Sequence, residues 1–126
     1  MAVSKKILIV EDDKMMRDLY SDILTGAGYE VELAEDGLVA EKMMKKGGYD
    51  LVLLDIMLPD RDGLQVLESL SVKQRKACGK VVVLTNLGQD TLVKNGFELG
   101  ADGYLFKYAL NPDQILEEMK GFLGEK

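Results

Sequence analysis

The chain has 126 residues, 47% of them hydrophobic and 30% charged, with a net charge of −6 and no histidine. That length suits one domain able to bury about two-thirds of its unfolded surface, and the composition excludes disorder. The acidic balance argues against nucleic acid as a direct partner, no apolar stretch approaches the roughly 20 residues of a membrane span, and the missing histidine removes Ser-His-Asp and Cys-His catalysis and imidazole zinc ligands. Cys78 stands alone, so no internal disulfide forms. A reducing cytoplasm is the expected compartment. The opening Met1 to Lys6 does not read as a signal peptide.

Taken in order, segments of strand and helix period alternate. Ile7-Leu8-Ile9-Val10 is a continuous apolar run that stops at Glu11-Asp12-Asp13. Met15, Met16, Leu19, Tyr20, Ile23 and Leu24 then recur at three- and four-residue spacing, an amphipathic helix stopped by Gly26 and Gly28. Asp13 suits its N-cap better than it suits a metal. Val31 to Ala34 alternates like a half-exposed strand, and Leu38 to Lys46 reads as a short helix with Val39, Ala40, Met43 and Met44 inward. The run Leu51-Val52-Leu53-Leu54 stops at Asp55 and is followed by a loop with Pro59 and a helix around Leu64, Leu67 and Leu70. Residues 71–80 read as a basic, solvated loop. Val81-Val82-Val83-Leu84 stops at Thr85, a helix spans about 89–99, and Tyr104-Leu105-Phe106 stops at Lys107. A last helix covers about 112–123, with Asn111 as N-cap and Pro112 at the first helical position.

Five βα units in succession predict a doubly wound (βα)5 three-layer α/β sandwich with a parallel sheet. Strands buried on both faces read as unbroken apolar runs. The runs at 7–10, 51–54 and 81–84 therefore belong in the centre, and the alternating 31–34 and short 104–106 at the edges. The order 2-1-3-4-5 satisfies this with right-handed crossovers. It puts the first and last helices on one face and the other three opposite. Ligands of such sheets bind beyond the carboxyl ends of the strands at the switch point. That point lies between the first and third strands, where Glu11 and Asp12 meet Asp55.

Carboxylates so crowded need compensation. Two unit charges about 5 Å apart at an effective dielectric near 20 repel by roughly 3 kcal/mol. A hard divalent cation, Lys107 or a raised carboxyl pKa could each offset this. Mg²⁺ favours oxygen ligands and commonly joins one or two carboxylates to a phosphate. Thr85 as hydroxyl donor and Lys107 as ammonium then suit phosphoryl oxygens, and aspartate is a known nucleophile for acyl phosphates.

The sequence resembles the receiver domain of bacterial two-component response regulators, of the single-domain chemotaxis type, over essentially its full length. The resemblance rests on Ile7 to Asp13, on Asp55-Ile56-Met57-Leu58-Pro59 with Asp62-Gly63, on Leu84-Thr85, and on Gly100 to Lys107. It implies a flavodoxin-like fold, residues 1–126 forming one receiver domain, and a signalling switch in place of a classical enzyme. By the same resemblance Asp55 is the phosphoacceptor, charged by a sensor histidine kinase or a small phosphodonor. Glu11 and Asp12 serve Mg²⁺ together with Asp55, and Met57 adds its backbone carbonyl. Thr85 moves onto the phosphoryl group, Lys107 pairs with it, and Tyr104 occupies the aromatic switch position. The altered surface is that of the fourth helix, fifth strand and fifth helix. The output is a downstream protein or an attached effector domain, and the protein is a monomer that can pair on phosphorylation.

The chain departs from the usual pattern at three places. Tyr108 follows Lys107 where a cis-proline is usual, so a trans bond is expected there. Asn86 follows Thr85 where a small residue is usual, narrowing access to the phosphate. Apolar Met57 stands where a polar side chain could orient water, which predicts slow phosphate loss. Three other classes compete. A phosphatase of the haloacid-dehalogenase type wants a second aspartate where Met57 stands. A flavodoxin-like FMN binder wants a Ser/Thr/Gly loop where Glu11, Asp12 and Asp13 stand. A phosphorylation-independent interaction module would not need the acid cluster.

Overall fold

The computed structural model describes residues 5–86, 89–107 and 109–125. The strands are β1 (Lys6–Val10), β2 (Glu30–Ala34), β3 (Leu51–Asp55), β4 (Lys80–Thr85) and β5 (Gly103–Phe106). The helices are α1 (Lys14–Gly26), α2 (Gly37–Lys46), α3 (Gly63–Ser69), α4 (Val72–Lys76), α5 (Asp90–Glu98) and α6 (Pro112–Phe122). All strands pair in parallel in the order β2-β1-β3-β4-β5, the order expected from their apolar character. Residues 7–10, 51–54 and 81–84 are all buried. The edge strand β2 is half-exposed.

Two apolar cores flank the sheet. On one side Ile7, Ile9, Leu51, Leu53 and Leu84 meet Tyr20 and Leu24 of α1 and Ile115 and Met119 of α6. On the other, Leu8, Val10, Val52, Leu54 and Val81 meet Ala40 and Met44 of α2 and Val66 and Leu67 of α3. The inward stripes are narrower than the sequence suggests, since Met15 and Leu19 of α1 and Val39 of α2 are exposed. A helix lying against one face of a sheet covers an apolar stripe about 100° wide, and these residues flank it. Among the described residues no helix is long and apolar enough to cross a membrane.

Helix starts follow local chemistry. Asp13 accepts the Met15 and Met16 N–H groups at the head of α1. Asp62 with Gln65 and Asn111 with Gln114 form reciprocal caps, each satisfying backbone donors that a helix end leaves free. One expectation is corrected: the stretch read as a basic loop contains α4, started by a Ser71–Gln74 capping box. None of its five residues is buried, and both lysines are exposed, so no apolar period marks it. Gly96 in α5 has a packing reason, because a Cβ there would already touch Leu64 and Val83 at 3.5 Å. The Lys107–Tyr108 bond, expected trans, lies outside the described residues.

Candidate functional site

The β1–β3 register ends on the pair Val10 and Leu54, so the next residues, Glu11 and Asp55, face each other at the carboxyl edge of the sheet. The β4–β5 register ends on Thr85 and Phe106, and the Lys107 N–H donates to the Thr85 carbonyl at 2.8 Å. Among the described residues the only buried polar or charged side chains are Glu11, Asp55 and Thr85. Among the described residues, all three such groups lie in one place.

Lys107 closes the cluster. Its Nζ lies 2.5 Å from Asp55 Oδ2, 2.8 Å from Glu11 Oε1 and 3.0 Å from Glu11 Oε2. Burial alone would lower the lysine's pKa, but the carboxylates of Asp55 and Glu11 outweigh it and hold the ammonium charged, above its ordinary value. Burial, and then the neighbouring Asp55, push the Glu11 carboxyl up to about 7, with Lys107 opposing. Asp55 Oδ1 accepts the Met57 N–H at 3.0 Å, which fixes the turn after β3. Gly63 begins α3 directly beneath this turn. A Cβ there would sit 2.4 Å from the Asp55 carbonyl oxygen, so only glycine lets the helix approach so closely.

Asp12 is exposed at the rim. One carboxylate oxygen each from Glu11, Asp12 and Asp55 lie within 4.8 Å of one another. Oxygens around a single Mg²⁺ at about 2.1 Å are separated by at most roughly 4.2 Å, so small side-chain shifts would bring these three onto one ion. Glu11 Oε1 is buried and makes no hydrogen bond of good geometry, its one charged neighbour being the Lys107 ammonium at 2.8 Å, a cation whose place at that oxygen a metal could share. The donor set is all hard oxygen and fits magnesium.

Tyr104 stands apart on the face of β5, 43% exposed, with its ring edge-on to Phe97 (6.1 Å) and Phe106 (5.4 Å). Met57 is exposed as well. Cys78 is buried against the Met44 carbonyl, and burial pushes its thiol up to about 11, which makes it inert. Two residues gained significance only in three dimensions. Arg17 donates to the Glu11 and Asp12 carbonyls at 2.8 and 3.3 Å and so pins the acidic loop. Gln89 accepts the Thr85 hydroxyl at 2.6 Å.

A five-stranded parallel sheet with acids, a hydroxyl and a lysine gathered at its carboxyl edge defines a receiver architecture. The chain belongs to the response regulator receiver domain family, whose model matches residues 7–120. It is 34% identical to the chemotaxis protein CheY of Halobacterium salinarum over 83% of this chain and 86% of that one. It is 38% identical to the DNA-binding dual master transcriptional regulator RpaA of Synechocystis sp., over 94% of this chain and 48% of that regulator. The first curated relatives are longer proteins, and the chain spans about half their length. Among solved structures, a CheY-like receiver domain protein from Methanospirillum hungatei superposes with a TM-score of 0.85 at 33% identity, over 97% of this chain and 95% of that one.

Proposed function

We propose that the chain is a phosphorylation-activated switch in which Asp55 takes a phosphoryl group from a sensor histidine kinase or a small phosphodonor. The observation that carries this reading is the buried Asp55 carboxylate with the Lys107 ammonium 2.5 Å away, an acceptor with a cation already beside it. A carboxylate oxygen of Asp55 attacks the donor phosphorus, the bond from phosphorus to the donor's leaving atom breaks, and an acyl phosphate forms. Lys107 then exchanges its contact with the carboxylate for one with a phosphoryl oxygen, and Thr85 donates its hydroxyl to another. Magnesium, held by Glu11, Asp12, Asp55 and the Met57 backbone carbonyl, would supply charge neutralisation between the acids and the incoming phosphoryl oxygens.

When Thr85 moves, the Tyr104 ring on the adjacent strand turns inward and alters the surface of α5, β5 and α6. That surface acts on a downstream protein or an attached effector domain. The acid cluster favours this reading over a phosphorylation-independent module, and Met57 disfavours the dehalogenase-type phosphatase.

Incubation with Mg²⁺ and acetyl phosphate, followed by intact mass measurement, provides the test. The wild-type chain is expected to gain one phosphoryl group and Asp55→Asn none. Equal gain by both, or none by either, would remove Asp55 from the role. A second prediction concerns lifetime. Met57 offers attacking water no hydrogen bond, whereas an amide there would position one, so Met57→Asn should shorten the acyl phosphate half-life by roughly tenfold. An unchanged half-life, followed by mass after the donor is removed, contradicts it.

A further inference from the structure

Gln89 precedes α5 at a position where helices take Ser, Thr, Asp or Asn to cap their free N–H groups, yet its side chain makes no cap bond. It folds back toward the sheet. Its Oε1 accepts the Asn86 N–H at 2.8 Å and the Thr85 hydroxyl at 2.6 Å. A backbone N–H can only donate, so the Gln89 atom facing it is the amide oxygen and not the nitrogen. The Thr85 proton therefore points at Gln89, the Asn86 carbonyl at 3.2 Å being the more distant alternative. Thr85 is 1% exposed, which leaves solvent little access to replace this partner.

A hydroxyl carries a single proton. Donation to Gln89 and donation to a phosphoryl oxygen on Asp55 are thus mutually exclusive. We propose that Gln89 is a latch: it holds the Thr85 hydroxyl in its resting orientation, and this bond breaks before Thr85 can engage the phosphoryl group. The inference rests on the phosphoacceptor reading above and deepens it, because it makes Gln89 a positioning residue that sets how readily the switch closes. One neutral hydrogen bond shifts such an equilibrium by about fivefold.

Beryllofluoride, a phosphoryl mimic that joins a carboxylate in the presence of Mg²⁺, tests this on the whole chain by fluorine and amide NMR titration. Gln89→Ala and Gln89→Ser should both bind it about fivefold tighter than wild type. The serine variant restores a favoured helix cap while being too short to reach Thr85, so a mere effect on the helix would separate the two variants. In a Thr85→Val background, Gln89→Ala should change nothing. Affinities of both single variants equal to or weaker than wild type, or tightening that persists in the Thr85→Val background, overturn the latch. A wild-type chain that binds no beryllofluoride removes the phosphoacceptor reading and the latch with it, an outcome distinct from intact binding that ignores Gln89.

Discussion

Replacing Lys107 by methionine should cost about 3 kcal/mol of unfolding free energy at pH 8 in the presence of a chelator. The side chain is 9% exposed and its ammonium bridges Glu11 and Asp55. Methionine keeps the volume and removes the charge, which leaves two buried carboxylates facing one another. Their repulsion alone is about 3 kcal/mol at 5 Å and an effective dielectric of 20. Two conditions should restore most of the loss. At pH 5.5 Glu11 takes up a proton and the repulsion disappears. With tens of millimolar Mg²⁺ the metal replaces the missing cation, and binding to the native state alone stabilises it. Urea midpoints under the three conditions make the comparison. A variant as stable as wild type at pH 8 without metal would mean that Lys107 does not neutralise the cluster.

Glu11→Gln should act in the opposite direction and make the metal-free chain more stable at neutral pH. Burial and Asp55 raise the Glu11 carboxyl from 4.5 to about 7. A folded-state pKa above the unfolded one means that the native state binds the proton more tightly. Stability from this group is therefore full below pH 4.5 and is lost as pH rises through about 7. The difference corresponds to about 3 kcal/mol. Glutamine keeps the shape of the protonated acid and cannot ionise, so the difference between wild type and variant should grow across that window and level off above it. The carboxyls of Asp18, Glu41 and Asp60, held low by their hydrogen bonds, have the opposite sign but are common to both proteins and cancel in the difference. The same proton competes with metal in the wild type, so Mg²⁺ affinity should weaken as pH falls below 7. Parallel stability curves for the two proteins would show that Glu11 is ionised throughout.

The sheet order was legible because three unbroken apolar runs could only be central, and the site because four runs stop at polar residues, two of them carboxylates, one a hydroxyl and one an ammonium. Glu11, Asp12 and Asp55 meet as the topology requires. The resting role of Lys107 was legible as one of three ways to offset the acids, though the sequence did not choose among them. The resemblance assigns it to a phosphoryl group, whereas in the structure it occupies both carboxylates. Arg17 escaped notice because it binds backbone carbonyls, which have no sequence signature. Gln89 escaped because a glutamine beside a helix start reads as an ordinary polar residue, and only the direction of its side chain shows its partner. The short α4 carried a visible sign, Ser71 followed three residues later by Gln74, which the surrounding lysines obscured.

The glycine contact beneath Asp55 gives the molecule a preferred direction of yielding. With the first turn of α3 seated against the Asp55 backbone, that flank is incompressible in the way close-packed interiors are. A bulky anion arriving on Asp55 cannot press downward into α3. On the proposed reading the displacement is steered sideways, toward the neighbouring strand whose terminal hydroxyl donates to Gln89. Stiffness on one side thus makes the other side the place where a message can leave.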